Sequence, residues 1–72
     1  MPFVKIEVTR EEVTREQKRQ LIKGVTDLIT NILNKDPHHT HIVIQEIRLD
    51  NWGYAGEQVS VLRAQGITPD KK

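Results

Sequence analysis

The chain has 72 residues, room for one domain, and its eleven Lys and Arg against ten Asp and Glu leave a formal net charge of +1. That balance excludes the basic footprint of a nucleic-acid binder and the cationic excess of a membrane-surface protein. The absence of cysteine excludes a disulfide framework and thiolate chemistry, and no apolar run approaches the roughly 20 residues that cross a bilayer.

The first element begins almost at once. Phe3 to Val8 alternates, with Val4, Ile6 and Val8 on one face and Lys5 and Glu7 on the other, which predicts a half-buried strand. Charges inside this stretch make it unlike the apolar core of a signal peptide, so the expected location is the cytoplasm. Thr9 to Val13 reads as a polar connection. Thr14 and Gln17 have the spacing of a capping box, and Glu16 in the first turn suits the positive end of the helix dipole. Leu21, Val25, Leu28 and Ile32, with Ile22, Ile29 and Leu33 beside them, form a wide apolar stripe. Gly24 within it costs about 1 kcal/mol relative to Ala unless close packing explains it. Pro37 places the helix end near Asn34–Lys35.

Thr40 to Ile47 is rich in β-branched residues and predicts a second strand. Its apolar side chains fall on both faces, Ile42 and Ile44 on one and Val43 and Ile47 on the other, as in a parallel strand covered on both sides. Strand, helix, strand is a βαβ unit, expected to be right-handed. Asn51 to Gly56 is an aromatic turn segment, and Gln58 to Leu62 reads as a short strand returning in a hairpin. The fold class is therefore α/β (α+β): a small β-α-β unit with parallel strands and a C-terminal hairpin over residues 1–63, followed by a flexible polar tail over 64–72.

Two strands and one helix cannot cover both faces and both edges of a sheet. A chain this short usually needs disulfides, a metal or self-association to be stable. Partner copies of the same chain are the expected solution.

Among residues able to carry chemistry, Pro2 comes first. Removal of Met1 leaves its ring nitrogen as a secondary amine. An α-amino group titrates near ~8, lower in an apolar or cationic pocket, and so can serve as a general base. His38, His39 and His41 stand close in sequence, but without Cys or a rigid frame they read as a polar loop, and no metal is expected. Nothing in sequence brings Glu46 and Glu57 together, and Arg48 with Asp50 reads as an exposed pair.

The order of these features resembles the 4-oxalocrotonate tautomerase family: Pro directly after Met, a strand, a helix opening on Glu16-Gln17-Lys18, a second strand ending at Gln45-Glu46, Trp52-Gly53, then Gly56-Glu57. The resemblance covers residues 2–63. It implies an enol–keto tautomerase acting on small 2-hydroxy-enoate and dienoate acids from aromatic breakdown, with the Pro2 amine as base and then acid. It implies no cofactor, and a homo-oligomer in which βαβ units pair into four-stranded sheets, as a hexamer (a trimer of dimers) or a dimer. Trp52 takes the place of an aromatic residue that keeps the pocket apolar. The family's two carboxylate-binding arginines are replaced by Val13 and His41. Arg10 or Arg15 can supply the first charge, Arg10 being better placed, and His41 is the remaining anion-binding candidate. Two other readings stay open: a proline-dependent hydratase or dehalogenase on the same fold, which needs a carboxylate to activate water, and a non-catalytic oligomeric module binding through Trp52 and Tyr54.

Overall fold

In the computed structural model, which describes residues 1–68, β1 (Phe3–Thr9) leads into the long helix α1 (Arg15–Leu33), and α1 into β2 (His41–Ile47). β1 and β2 pair in parallel, in a register running from Phe3 opposite His41 to Thr9 opposite Ile47. This is the expected βαβ unit. The even-numbered side chains Val4, Ile6, Val8, Ile42 and Ile44 are half-buried, while Phe3, Lys5, Glu7, His41, Val43 and Gln45 between them are exposed.

The helix forms as its sequence dictates. Thr14 accepts a hydrogen bond from the Gln17 N–H, and the Gln17 side chain accepts one from the Thr14 N–H, so two orphan donors are satisfied reciprocally. Asn34 ends it in the left-handed conformation at φ 54°. Asp36 then caps a 3₁₀ turn, Pro37–His39, that leads into β2.

Beyond β2, a second 3₁₀ turn (Leu49–Asn51) precedes β3 (Gly53–Tyr54) and β4 (Glu57–Gln58), a two-stranded antiparallel hairpin. Its loop, Ala55-Gly56, has positive φ at both residues, the signature of a type I′ turn, whose twist matches that of paired strands. Gly53 is required for a different reason: a Cβ there would lie 3.1 Å from the Glu57 carbonyl oxygen. The returning strand is shorter than the sequence suggests. Val59 to Leu62 is not extended; it opens a helix, α2 (Val59–Ala64). Val59 and Leu62, three apart, share the buried face. Gly66 follows at φ 85°, its N–H bonded to the Arg63 carbonyl, and the Ile67 N–H reaches the Leu62 carbonyl at 3.0 Å. These two bonds make a Schellman cap. The tail expected from residue 64 thus begins inside α2 and its cap; residues 69–72 of it lie outside the described residues.

The distribution of burial is uneven. Among the described residues only Val59 and Leu62 are buried hydrophobics. On α1, Leu28 and Ile32 remain 57% and 71% exposed, and Phe3 on the other face of β1 is 63% exposed. Gly24 faces open space beside Leu21 and Leu28, so nothing within one chain offsets its cost to the helix. The Cα radius of gyration is 15.3 Å, against about 11 Å for a compact domain of this length. The accessible surface is 5834 Å², against about 4,600 Å² expected for a folded monomer of this mass. A single copy leaves its apolar stripe and the outer sheet face uncovered.

Candidate functional site

Pro2 stands where the sheet begins. Its carbonyl accepts the His41 N–H at 3.0 Å, and Phe3, the next residue, pairs with His41 across the sheet. Pro2 is half-buried while Met1 is 82% exposed, so the proline ring is held by the strand pair and the methionine projects away from it. With Met1 attached the Pro2 nitrogen is an amide with no basicity; only its release makes it an amine. His41 is exposed beside it. Parallel pairing puts these two residues together, because both strands start at the same end.

The other predicted site residues lie at the opposite end. Arg10 follows the last residue of β1, and its N–H donates to the Ile47 carbonyl at 2.8 Å. The seven residues of β1 separate it from Pro2, roughly 25 Å over eight steps of about 3.3 Å. Trp52 comes after the end of β2 and caps the second 3₁₀ turn. It is half-buried, and its carbonyl accepts the Val59 N–H at 2.8 Å, extending the hairpin ladder by one pair. Pro2 with His41, and Arg10 with Trp52, thus stand at opposite ends of one chain. Arg15 is the first residue of α1 and is exposed, and Val13 is half-buried in the connection before it.

Two ion-pair groups at the Arg10 end escaped sequence reading. Glu46 lies on the inner face of β2 and is only 23% exposed; Lys18 Nζ is 2.5 Å from its Oε1, and Arg10 Nε is 3.7 Å from its Oε2. The Lys18 hydrogen bond, with the charges of Lys18 and Arg10, holds the Glu46 carboxyl below its ordinary range. The available signal was position: Glu46 continues the inward series Ile42, Ile44, and an inward carboxylate needs a cationic partner.

The second group is Glu11 with Arg63, 52 residues apart, joined through the guanidinium Nε; Thr9 donates a further hydrogen bond to Glu11 at 2.5 Å. Arg63 also donates to the Ile67 carbonyl at 2.9 Å. These contacts lower the Glu11 carboxyl from its usual value, Arg63 being the larger cause and Thr9 the next, and raise Arg63. The pair clamps α2 to the connection after β1. Nothing in the sequence pattern points to it, because neither residue belongs to a periodic element that would place the other.

His38 is engaged locally, its Nδ1 2.9 Å from Asp36 Oδ1. Among the described residues no three His, Cys, Asp or Glu side chains converge on a common point, and no helix is long and apolar enough to cross a membrane.

A family model described as tautomerase enzyme matches residues 2–62. A probable tautomerase K2 of Dickeya dadantii is 51% identical over 65 residues, covering 90% of this chain and 97% of that one. The crystal structure of DmpI from Helicobacter pylori superposes with a TM-score of 0.81 at 42% identity, covering 88% of this chain and 97% of the other. A 4-oxalocrotonate tautomerase isozyme structure from Methylibium petroleiphilum has the same fold, with a TM-score of 0.84 at 23% identity over 89% of this chain and 98% of that one.

Proposed function

The chain belongs to the tautomerase family, and we propose that it is an enol–keto tautomerase of the 4-oxalocrotonate tautomerase type, acting in the cytoplasm on small 2-hydroxy-enoate or dienoate acids. The Pro2 amine, freed by removal of Met1, takes the hydroxyl proton of the enol and returns it to carbon, giving the keto form. The reaction is an isomerisation, and no co-reactant is consumed.

The observation that carries this reading is the anchoring of Pro2. Its carbonyl is tied to the His41 N–H, so the freed amine sits on a paired strand instead of a loose terminus. A general base must be held within hydrogen-bond reach of the proton it moves, and a strand end provides that fixity. The separation of the two ends adds a second requirement. Arg10 and Trp52 reach a Pro2 only if it belongs to another copy, and the uncovered faces of β1, β2 and α1 are the surfaces through which copies would join. The working site therefore combines the Pro2–His41 end of one chain with the Arg10–Trp52 end of a neighbour, in a homo-oligomer. Arg10 binds the substrate carboxylate, His41 donates a hydrogen bond, and Trp52 keeps water from the amine.

The hydratase alternative is weaker, because Glu11 and Glu46, the carboxylates at the Arg10 end with lowered pKa values, are tied to cations and are poor bases for activating water. The test uses protein shown by intact mass to begin at Pro2, assayed for ketonisation of 2-hydroxymuconate and phenylenolpyruvate. Pro2→Ala should lower kcat by about 10²–10⁴-fold, the usual contribution of a positioned base. Turnover that survives this change intact removes Pro2 from the mechanism.

A further inference from the structure

Arg10 combines a fixed backbone with a free side chain. Its N–H donates to the Ile47 carbonyl at 2.8 Å, and the Glu11 N–H donates to the Thr9 carbonyl at 2.9 Å, which closes a three-residue turn with Arg10 at its centre. The side chains on either side of it are joined, the Thr9 hydroxyl donating to Glu11 Oε2 at 2.5 Å. Arg63 grips the same carboxylate from α2. Its Nε donates to Oε1, one terminal nitrogen lies 3.4 Å from Oε2, and the other donates to the Ile67 carbonyl at 2.9 Å. The Arg63 and Glu11 side chains are 16% and 26% exposed, whereas that of Arg10 is 63% exposed, with its Nε 3.7 Å from Glu46 and beyond hydrogen-bond distance. Glu12 follows at φ 62°, a conformation that a glutamate keeps only where its surroundings impose it.

From this we infer that Glu11 and Arg63 are positioning residues: with Thr9 they fix the turn centred on Arg10, so that its guanidinium meets the substrate carboxylate from a backbone already in place. The inference rests on the tautomerase reading above, with Arg10 as its carboxylate binder. Glu11 and Arg63 do not touch the substrate. Their polar atoms are engaged within the clamp, and they act through Arg10. The physical reason is entropic. A long side chain loses rotamer freedom when it binds, and a mobile backbone beneath it would add a second ordering cost. The clamp removes that second cost before substrate arrives. Arg15 and Arg48 are exposed cations at the same end but stand outside this clamp: Arg15 begins α1, and Arg48 faces Asp50 at 3.6 Å.

The experiment is a double-mutant cycle read in KM and kcat, with 2-hydroxymuconate as substrate. The protein is confirmed to begin at Pro2, and sedimentation shows the same assembly for each variant compared. Arg10→Gln should raise KM by about tenfold or more, the effect of losing a charge-assisted hydrogen bond. Arg63→Gln should raise KM by about fivefold and leave kcat within about twofold, as expected of a residue coupled to binding through its neighbours. In Arg10→Gln protein, adding Arg63→Gln should change KM by less than about twofold, because the side chain it positions is gone. A clamp that serves stability alone gives the same KM change in both backgrounds, and that outcome overturns the inference. So does an unchanged KM in Arg63→Gln or in Arg10→Gln, or a fall in kcat alone. Thr9→Val takes only the hydroxyl from the clamp and should raise KM by about twofold to threefold, an effect that also vanishes without Arg10. Poor folding of Arg63→Gln therefore does not block the test. Pro2-dependent turnover with independent KM effects removes only this inference; no Pro2-dependent turnover removes the tautomerase reading as well.

Discussion

The βαβ unit and the C-terminal arm are built in opposite ways. β1, α1 and β2 carry the regular patterning, yet among the described residues they contain no fully buried hydrophobic side chain. The arm, from the second 3₁₀ turn through α2, has two strands of two residues each and a six-residue helix, yet it holds both buried hydrophobics, Val59 and Leu62. The arm closes on itself through the Trp52–Val59 hydrogen bond and the cap at Gly66-Ile67, and Glu11–Arg63 fastens it to the rest of the chain. Regular secondary structure and burial are thus separate achievements. A long amphipathic helix on a two-stranded sheet is half of a core, whereas a short arm can complete a small one locally.

The contrast is open to attack, most strongly through assembly. If the exposed α1 stripe is covered by another copy, Leu28→Asp places a charge in that interface. The concentration needed for assembly should then rise more than about tenfold and activity at dilute concentration should fall, as read by sedimentation and assay. Unchanged association would show that Leu28 stays in water and that the helix face is not an interface.

Leu62→Ala tests the other side of the contrast. It should lower stability by about 2–4 kcal/mol, the usual result of truncating a buried leucine, measured by denaturant unfolding at fixed protein concentration. A loss comparable to that of an exposed leucine would mean that the arm is not packed as described.

A smaller effect is expected at the fastener. Glu11 has its pKa lowered by Arg63 and Thr9, so the stability it contributes is full above its ordinary value of 4.5 and is lost as pH falls from there through the lowered one. Glu11→Gln should reduce the melting temperature at neutral pH and flatten its decline over that acid interval. An acid limb as steep as that of the unmodified protein would assign the dependence to other carboxylates.

Much of the βαβ unit was legible because its signals are local and periodic. The alternation of Phe3 to Val8, the Thr14–Gln17 box and the β-branched run before Ile47 each specify an element within a few residues. Val59 to Leu62 misled because Val59 and Val61 alternate as in a strand; the informative residue was Gly66, which supplies the left-handed conformation that ends a helix. Pro2 and His41 were singled out as candidates from the family resemblance. That they share one end of the sheet follows only from parallel pairing.

By itself, then, the sequence determined the order and type of the principal elements, the N-cap of α1 and the region of its end, the anchoring of Pro2 at the start of a strand, and the shortage of core within one chain. These depend on interactions a few residues apart or on composition. The tertiary structure decided that Arg10 and Trp52 lie at the far end from Pro2, that Glu46 occupies Lys18, and that Glu11 holds Arg63. Those facts depend on strand direction and register and on contacts between residues up to 52 positions apart. No local periodicity encodes such contacts, because they come into being only when the chain has folded.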